Sequence, residues 1–249
     1  GMEAARVAAL RGHSVELVES SAQLGGKFRF ASIPSFKSEG NGLIRWYERQ
    51  LEKAGVRVTK NYKLLKDDPK AKDADVIIVA TGAKEIVPPL PGVEYADFAI
   101  PVLCGDVPVQ DECTIVGGGL VGCELAIHLA MGGKKPRIVE MAPSLMPTNK
   151  PASQVVQAVN EYLERFEIET YVNTRLKEIR PDAIVVERNG AEEVLSTQQT
   201  ILALGYRADP SLYDSLYAKY GEVYNLGDSR QAKDIMQGIE DAYELSSHL

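Results

Sequence analysis

Thr114-Ile115-Val116-Gly117-Gly118-Gly119-Leu120-Val121-Gly122-Cys123-Glu124 is the stretch that decides how this chain is read. A run of strand type enters a turn in which Gly117, Gly119 and Gly122 stand at G-x-G-x-x-G spacing. Leu125, Ala126, Leu129 and Ala130 then recur at helical spacing. The order has a physical logic. The first glycine makes a tight turn, the second lets backbone approach a pyrophosphate, and the third lets helix and strand pack closely, with phosphates at the helix N-terminus. Arg137-Ile138-Val139-Glu140 is a second strand, ending in a carboxylate 18 residues past Gly122. There it can accept hydrogen bonds from a ribose. Strand, turn, helix and terminal acid in register predict a dinucleotide-binding unit rather than a glycine-rich turn in an unrelated α/β domain.

The N-terminal third repeats this grammar. Residues 2–10 are alanine-rich and helical, and Arg11-Gly12-His13 stops the helix. Ser14-Val15-Glu16-Leu17-Val18-Glu19 is a strand ending in an acid, so Glu19 stands to this helix as Glu140 stands to the later one. Gly1 then takes the place of the third glycine of another such turn, whose strand and first two glycines are not in the sequence. The first strand of a doubly wound sheet is central. Its absence is expected to expose two inner strand edges, to favour pairing into a homodimer, and to remove a loop that grips a pyrophosphate.

Leu24-Gly25-Gly26-Lys27 is a turn that brings backbone close to a ligand or to another segment. Residues 42–55 read as an amphipathic helix, with Trp46 and Tyr47 expected in the core. Val56-Arg57-Val58 alternates as a strand, and residues 75–82 form a buried strand running into the small-residue turn Ala80-Thr81-Gly82. Pro88, Pro89 and Pro91 then stop regular structure. Beyond the central unit, a helix over 153–165 precedes strands at 167–172, 183–187 and 200–204, with Asn189-Gly190 as a hairpin signal between the second and third. Leu204-Gly205 resembles a second small-residue turn. Residues 223–228 are a short strand presenting Gly227-Asp228 at its end, and 231–248 are helical.

Composition excludes several classes. With 45% hydrophobic and 25% charged residues the chain suits one large or two small globular domains. A net charge of −7 argues against a nucleic-acid surface. No apolar run approaches the ~18–20 residues of a membrane span, and there is no signal-peptide pattern, so a cytoplasmic location is expected. The cysteines are Cys104, Cys113 and Cys123, with no C-x-x-C pair. That argues against iron–sulfur ligation and dithiol redox catalysis. Cys123 reads as a small packing residue. No metal site and no catalytic side chain is expected, and His13, His128 and His248 look incidental.

Taken in order, Glu19, Leu-Gly-Gly at 24–26, Ala-Thr-Gly at 80–82, the glycine turn at 117–122, Leu-Gly at 204–205 and Gly-Asp at 227–228 resemble the flavoprotein oxidoreductases with two dinucleotide-binding domains. The resemblance implies an α/β fold of two Rossmann-like three-layer domains, with an NAD(P)H domain at 106–199 inserted in a split, N-terminally truncated FAD domain at 1–105 and 200–249. Gly122-Cys123-Glu124, Leu-Gly-Gly-Lys and Pro88-Pro89-Leu90-Pro91-Gly92 look like the C-terminal module of NADH:flavin oxidoreductases related to 2,4-dienoyl-CoA reductase, enoate reductase and trimethylamine dehydrogenase. Full members carry a barrel with FMN and an iron–sulfur cluster, which this sequence lacks. That makes a barrel flavoprotein domain or subunit the expected partner.

The resemblance also assigns roles. Glu19 would bind the FAD ribose, with Gly1 in its glycine turn; Gly25, Gly26 and Lys27 would line the flavin or its diphosphate. Ala80, Thr81 and Gly82 would approach that diphosphate, Gly205 would repeat their turn, and Asp228, after Gly227, would accept from the ribityl chain. Gly117, Gly119, Leu120, Val121 and Gly122 would cradle the NAD pyrophosphate, Glu124 would meet the nicotinamide carboxamide, and Glu140 the NAD ribose. The alternatives are plain: strand-end acids in water at Glu19 and Glu140, a helix cap at Asp228, a solvated Lys27, a solvent-facing Glu124.

Hydride transfer from nicotinamide to flavin needs stacked rings rather than an acid–base side chain. A carboxylate at Glu140 favours the 2′-hydroxyl of NADH over the 2′-phosphate of NADPH, and Met141-Ala142-Pro143 supplies no arginine for that phosphate. The expected function is an FAD-dependent NADH oxidoreductase module that hands electrons to another flavin domain or acceptor. The alternative is a non-catalytic NAD-binding fragment with a vestigial FAD site, since the FAD turn is incomplete and FAD affinity is expected to suffer. A nucleotide-sugar type of Rossmann enzyme would need a Tyr-x-x-x-Lys pair. Tyr62 and Lys66 have that spacing but sit in a lysine-rich linker.

Overall fold

The computed structural model describes residues 1–147 and 152–249. It divides into two compact units. One holds Gly1–Ser32, Lys37–Lys84 and Tyr206–Leu249, the other Ile33–Phe36 and Glu85–Gly205. The boundaries that the family resemblance implies, at 105/106 and 199/200, differ from those between the units, at 84/85 and 205/206.

The second unit is built on a parallel sheet in the order Ala96–Phe98, Thr200–Leu202, Glu112–Val116, Lys135–Val139, Glu169–Tyr171. Successive strand residues face opposite sides of a sheet. Ile115, Ile138 and Ile201 therefore face one way, into a core completed by Cys123, Leu125, Ala126, Ile127 and Leu129 of helix Leu120–Met131 and by Val159 and Leu163 of helix Ser153–Arg165. Their neighbours Val116, Val139 and Leu202 face the other way, against Leu176, Ile179, Ile184 and Val186. Those four belong to an antiparallel sheet of Thr174–Arg180, Ala183–Arg188 and Ala191–Ser196. Helices, parallel sheet and antiparallel sheet make three layers. The Asn189-Gly190 signal is used, with φ of +53° and +78°, but it joins Ala183–Arg188 to Ala191–Ser196. The 200–202 strand instead pairs in parallel with Glu112–Val116. The adjacent pair Glu192-Glu193 in Ala191–Ser196 hid that strand, since it is mostly exposed to water and carries no apolar period.

In the first unit, helix Met2–Leu10 buries Ala4, Ala5, Val7 and Ala8, and Gly12 at φ +101° turns the chain away from it. Its parallel strands form two separate pairs, Glu16–Val18 with Arg57–Thr59 and Ile77–Val79 with Val223–Asn225. Helix Gly40–Lys53 seats Ile44, Tyr47 and Leu51 in the core. Trp46, expected there too, is 39% exposed, and the Arg6 guanidinium lies 5.6 Å from its ring centroid. Its large amphipathic ring is satisfied by that cation on one face. Helix Ile235–Ser247 closes the unit, starting at its cap Asp234. Among the described residues, no helix is long and apolar enough to cross a membrane.

Candidate functional site

The glycine turn lies between strand Glu112–Val116 and helix Leu120–Met131, and its glycines differ in what surrounds them. Gly117 has φ +111°, and a Cβ there would lie 2.4 Å from the Ala203 carbonyl oxygen. A Cβ on Gly122 would lie 1.9 Å from the Gly117 carbonyl oxygen, so helix and turn touch backbone to backbone. Gly119 is the reverse. Its φ of −69° suits any residue, and a Cβ there would meet nothing within 4 Å. The open side of the turn is therefore over Gly119, at the start of a helix of 12 residues. The first N–H groups of such a helix have no partner inside it and carry its positive dipole end. Leu120 is half-buried and Val121 exposed at this end. A cradle left open by one missing Cβ, facing unpaired helix N–H groups, fits a pyrophosphate.

Glu140 borders the turn. It is 7% exposed, and its carboxylate accepts from the Gly118 N–H at 2.7 Å through Oε2 and from the Ala142 N–H at 2.7 Å through Oε1. It is not a strand-end acid in water. An ionised carboxylate has about four acceptor sites, so two remain for hydroxyls. Glu124 is 9% exposed and so is not solvent-facing. Cys123 is fully buried, donates to the Gly118 carbonyl oxygen at 3.4 Å, and has its thiol pushed up to about 12, mainly by burial and then by the Glu124 and Glu140 charges. It is a packing residue with an inert sulfur. Gly118 is the participant that spacing alone overlooks, because it occupies an x position of the motif. The triple glycine was the available signal: a Cβ on Gly118 would meet Leu145 Cδ2 at 2.5 Å and Glu140 Cβ at 2.9 Å.

In the first unit, Glu19 accepts from the Ser21 N–H at 2.7 Å, the bond to residue i+2 that Glu140 makes to Ala142. Gly1 lies against Ala80, just past strand Ile77–Val79, and against Leu17 within strand Glu16–Val18. Gly25 and Gly26 turn at φ +105° and +50°, Gly82 at φ +80° and Gly227 at φ +61°; Cβ atoms on Gly26 and Gly227 would project into open space. Ala80 and Thr81 are exposed. Lys27 is not a solvated charge: its ammonium bonds the Ala83 carbonyl oxygen and lies 4.9 Å from the Tyr206 ring centroid. Asp228 accepts from the Lys233 N–H at 3.1 Å, while the following helix is capped by Asp234, whose carboxylate takes the Gln237 N–H at 2.8 Å. The cap alternative thus belongs to Asp234. Open glycine turns and strand-end acceptors fit a second nucleotide. In the other unit, Gly205 turns at φ +87° and accepts from the Ile86 N–H. Among the described residues, no group of three His, Cys, Asp or Glu could hold a metal ion.

Fold and site together define an α/β protein of the class that binds dinucleotides through strand–glycine-turn–helix units. The family model for pyridine nucleotide-disulphide oxidoreductases matches residues 1–226, and the chain belongs to that family. Cinnamate reductase of Clostridium sporogenes is 32% identical over 250 residues, covering 100% of this chain and 38% of that protein. The NADH oxidase of Thermoanaerobacter brockii is 30% identical over 254 residues, covering 99% of this chain and 39% of its own length. A solved 2-naphthoyl-CoA reductase superposes with a TM-score of 0.93 at 25% identity, over 100% of this chain and 38% of its own. The chain therefore spans about two fifths of the length of these relatives.

Proposed function

We propose that this chain is the pyridine-nucleotide end of a larger flavoprotein oxidoreductase, taking hydride from NADH to FAD and onward to another flavin domain or acceptor. The observation that carries the reading is the glycine turn: closed at Gly117 and Gly122, open at Gly119, and bordered by the buried carboxylate of Glu140. In this reading NADH is held by residues of the 106–199 segment, through Gly117, Gly119, Leu120, Val121 and Gly122, with Glu140 at the ribose and Glu124 toward the nicotinamide. FAD is held by 1–105 and 200–249, through Gly1, Glu19, Gly25, Gly26, Lys27, Ala80, Thr81, Gly82, Gly205, Gly227 and Asp228. When bound, FAD supplies the hydride acceptor; this chain's residues orient the rings and exclude water.

The relatives extend well beyond the matched part, which leaves room for a barrel with FMN and an iron–sulfur cluster as the substrate end. Their printed names, cinnamate reductase and NADH oxidase, agree with an NADH-fed reductase, and a cytoplasmic location is part of the proposal. A negative Glu140 supports NADH over NADPH. The test is the visible spectrum of the purified protein before and after FAD, then NADH. Flavin bands that bleach with NADH support the reading, and NADPH should bind at least ~tenfold more weakly, about 1.4 kcal/mol. A colourless protein that ignores FAD and binds NADH alone would instead support the non-catalytic alternative.

A further inference from the structure

We infer that Glu140 is a positioning residue for the glycine turn, shaping it before any nucleotide arrives, in addition to the ribose contact proposed above, on which the inference rests. The argument starts at the Gly118 peptide, which is held at both ends. Its N–H donates to Glu140 Oε2 at 2.7 Å, and its carbonyl oxygen accepts from the Met146 N–H at 2.7 Å and from the Cys123 thiol at 3.4 Å. The Gly118 N–H is therefore turned away from the open side over Gly119. Glu140 is itself fixed. Its backbone N–H donates to Tyr171 at 2.8 Å, its carbonyl accepts from Thr174 at 2.9 Å, and its Oε1 takes the Ala142 N–H. Leu145 fills the space beside Gly118, so the segment after Glu140 folds over the turn. Buried N–H groups need partners, and in this turn the acid at the strand end supplies one.

Two consequences follow for recognition. A ligand that meets the free lone pairs of Glu140 engages a carboxylate already tied to the pyrophosphate turn. A 2′-phosphate meets more than charge repulsion, because moving the carboxylate aside strands the Gly118 and Ala142 N–H groups. Discrimination against NADPH is thus built into the shape of the turn. Removing the acid alone should not convert the site to NADPH.

The experiment separates the two roles of Glu140 with ligands rather than activity. ADP and 2′,3′-dideoxy-ADP are titrated calorimetrically into the wild-type chain, Glu140→Gln and Glu140→Ala, and deuterium exchange of the Gly118 amide is followed without ligand. Dideoxy-ADP has no ribose hydroxyl for Glu140 to read. The expected result is that Glu140→Ala weakens dideoxy-ADP at least ~tenfold and speeds Gly118 exchange to a similar degree. Glu140→Gln should fall between, because its one carbonyl oxygen can accept where its amide nitrogen cannot. Gln also preserves shape, so it reports if the alanine variant fails to fold. Unchanged dideoxy-ADP affinity and unchanged Gly118 exchange in both variants, with ADP alone weakened, would overturn the inference and leave Glu140 a ribose contact only. A wild-type chain that binds neither ligand would overturn the nucleotide reading and this inference with it.

Discussion

Replacing Gly122 with alanine puts a methyl carbon 1.9 Å from the Gly117 carbonyl oxygen and 3.1 Å from its carbonyl carbon. Real Cβ contacts essentially never fall below 3.0 Å, so the helix start and the turn must separate by more than an ångström. Neither side can yield through a side chain. Gly117 is tied by its N–H to Val139 at 2.8 Å and lies against the Ala203 carbonyl, while the helix is locked by fully buried Cys123, Ala126 and Ile127. Overpacking against rigid neighbours costs ~3 kcal/mol, the upper end of the usual range. For a chain of this size that is a fall of roughly 6–12 °C in melting temperature. Gly119→Ala is the matched control. Its Cβ enters open space at a permitted φ, so stability should stay within ~0.5 kcal/mol. NADH affinity should still fall about tenfold or more, ~1.4 kcal/mol, because the methyl occupies the side from which pyrophosphate approaches. Calorimetric melting and NADH titration of both variants decide the matter. If Gly122→Ala melts like the wild type, or Gly119→Ala binds NADH normally, the division of labour among the glycines is wrong.

Other perturbations have equally definite outcomes. Burial pushes the Cys113 thiol up to about 11 and the Cys123 thiol up to about 12, so at about pH 8 the folded chain should label with a thiol reagent at half-buried Cys104 alone. Rapid labelling of all three in folded protein would contradict the packing of helix Leu120–Met131. The Lys70 ammonium and the Thr59 hydroxyl hold the Glu16 carboxyl below its usual 4.5. A carboxylate depressed by folding stabilises above its unfolded pKa, and the contribution is lost as pH falls through the folded value. Glu16→Gln should therefore melt below the wild type at neutral pH, with the gap closing only below pH 4.5; a gap independent of pH would mean the charge is irrelevant. Gly92 sits at φ +79° with its Cβ position 1.8 Å from the Ile179 carbonyl oxygen. Gly92→Ala should lower the melting temperature by about as much as Gly122→Ala, through backbone displacement against strand Thr174–Arg180. An unchanged melt would show that the proline-rich segment is not fixed to that strand.

The nucleotide-binding grammar was legible along the chain because its requirements are local. A tight turn, a helix start and an acid at the end of the next strand each depend on residues close in sequence, and glycine is the residue that permits backbone contact at Gly117 and Gly122. The strand pattern of Ile115-Val116 and Ile138-Val139 was legible as well, and the structure buries both faces of that sheet. What covers the second face could not be read from it. The antiparallel sheet is held by long-range pairing, and its strand Ala191–Ser196 shows mostly polar residues to water. Trp46 beside buried Tyr47 could be placed only once Arg6, 40 positions away, was found against its ring. The same limit applied to Gly118, an x position whose N–H is claimed by a carboxylate 22 residues on. Sequence by itself determined where backbone must turn tightly and where acids end strands, since those are properties of single residues and their neighbours. Only the tertiary structure decided which amides those acids take and which glycine stays open, because burial and hydrogen-bond geometry arise when distant segments share one space.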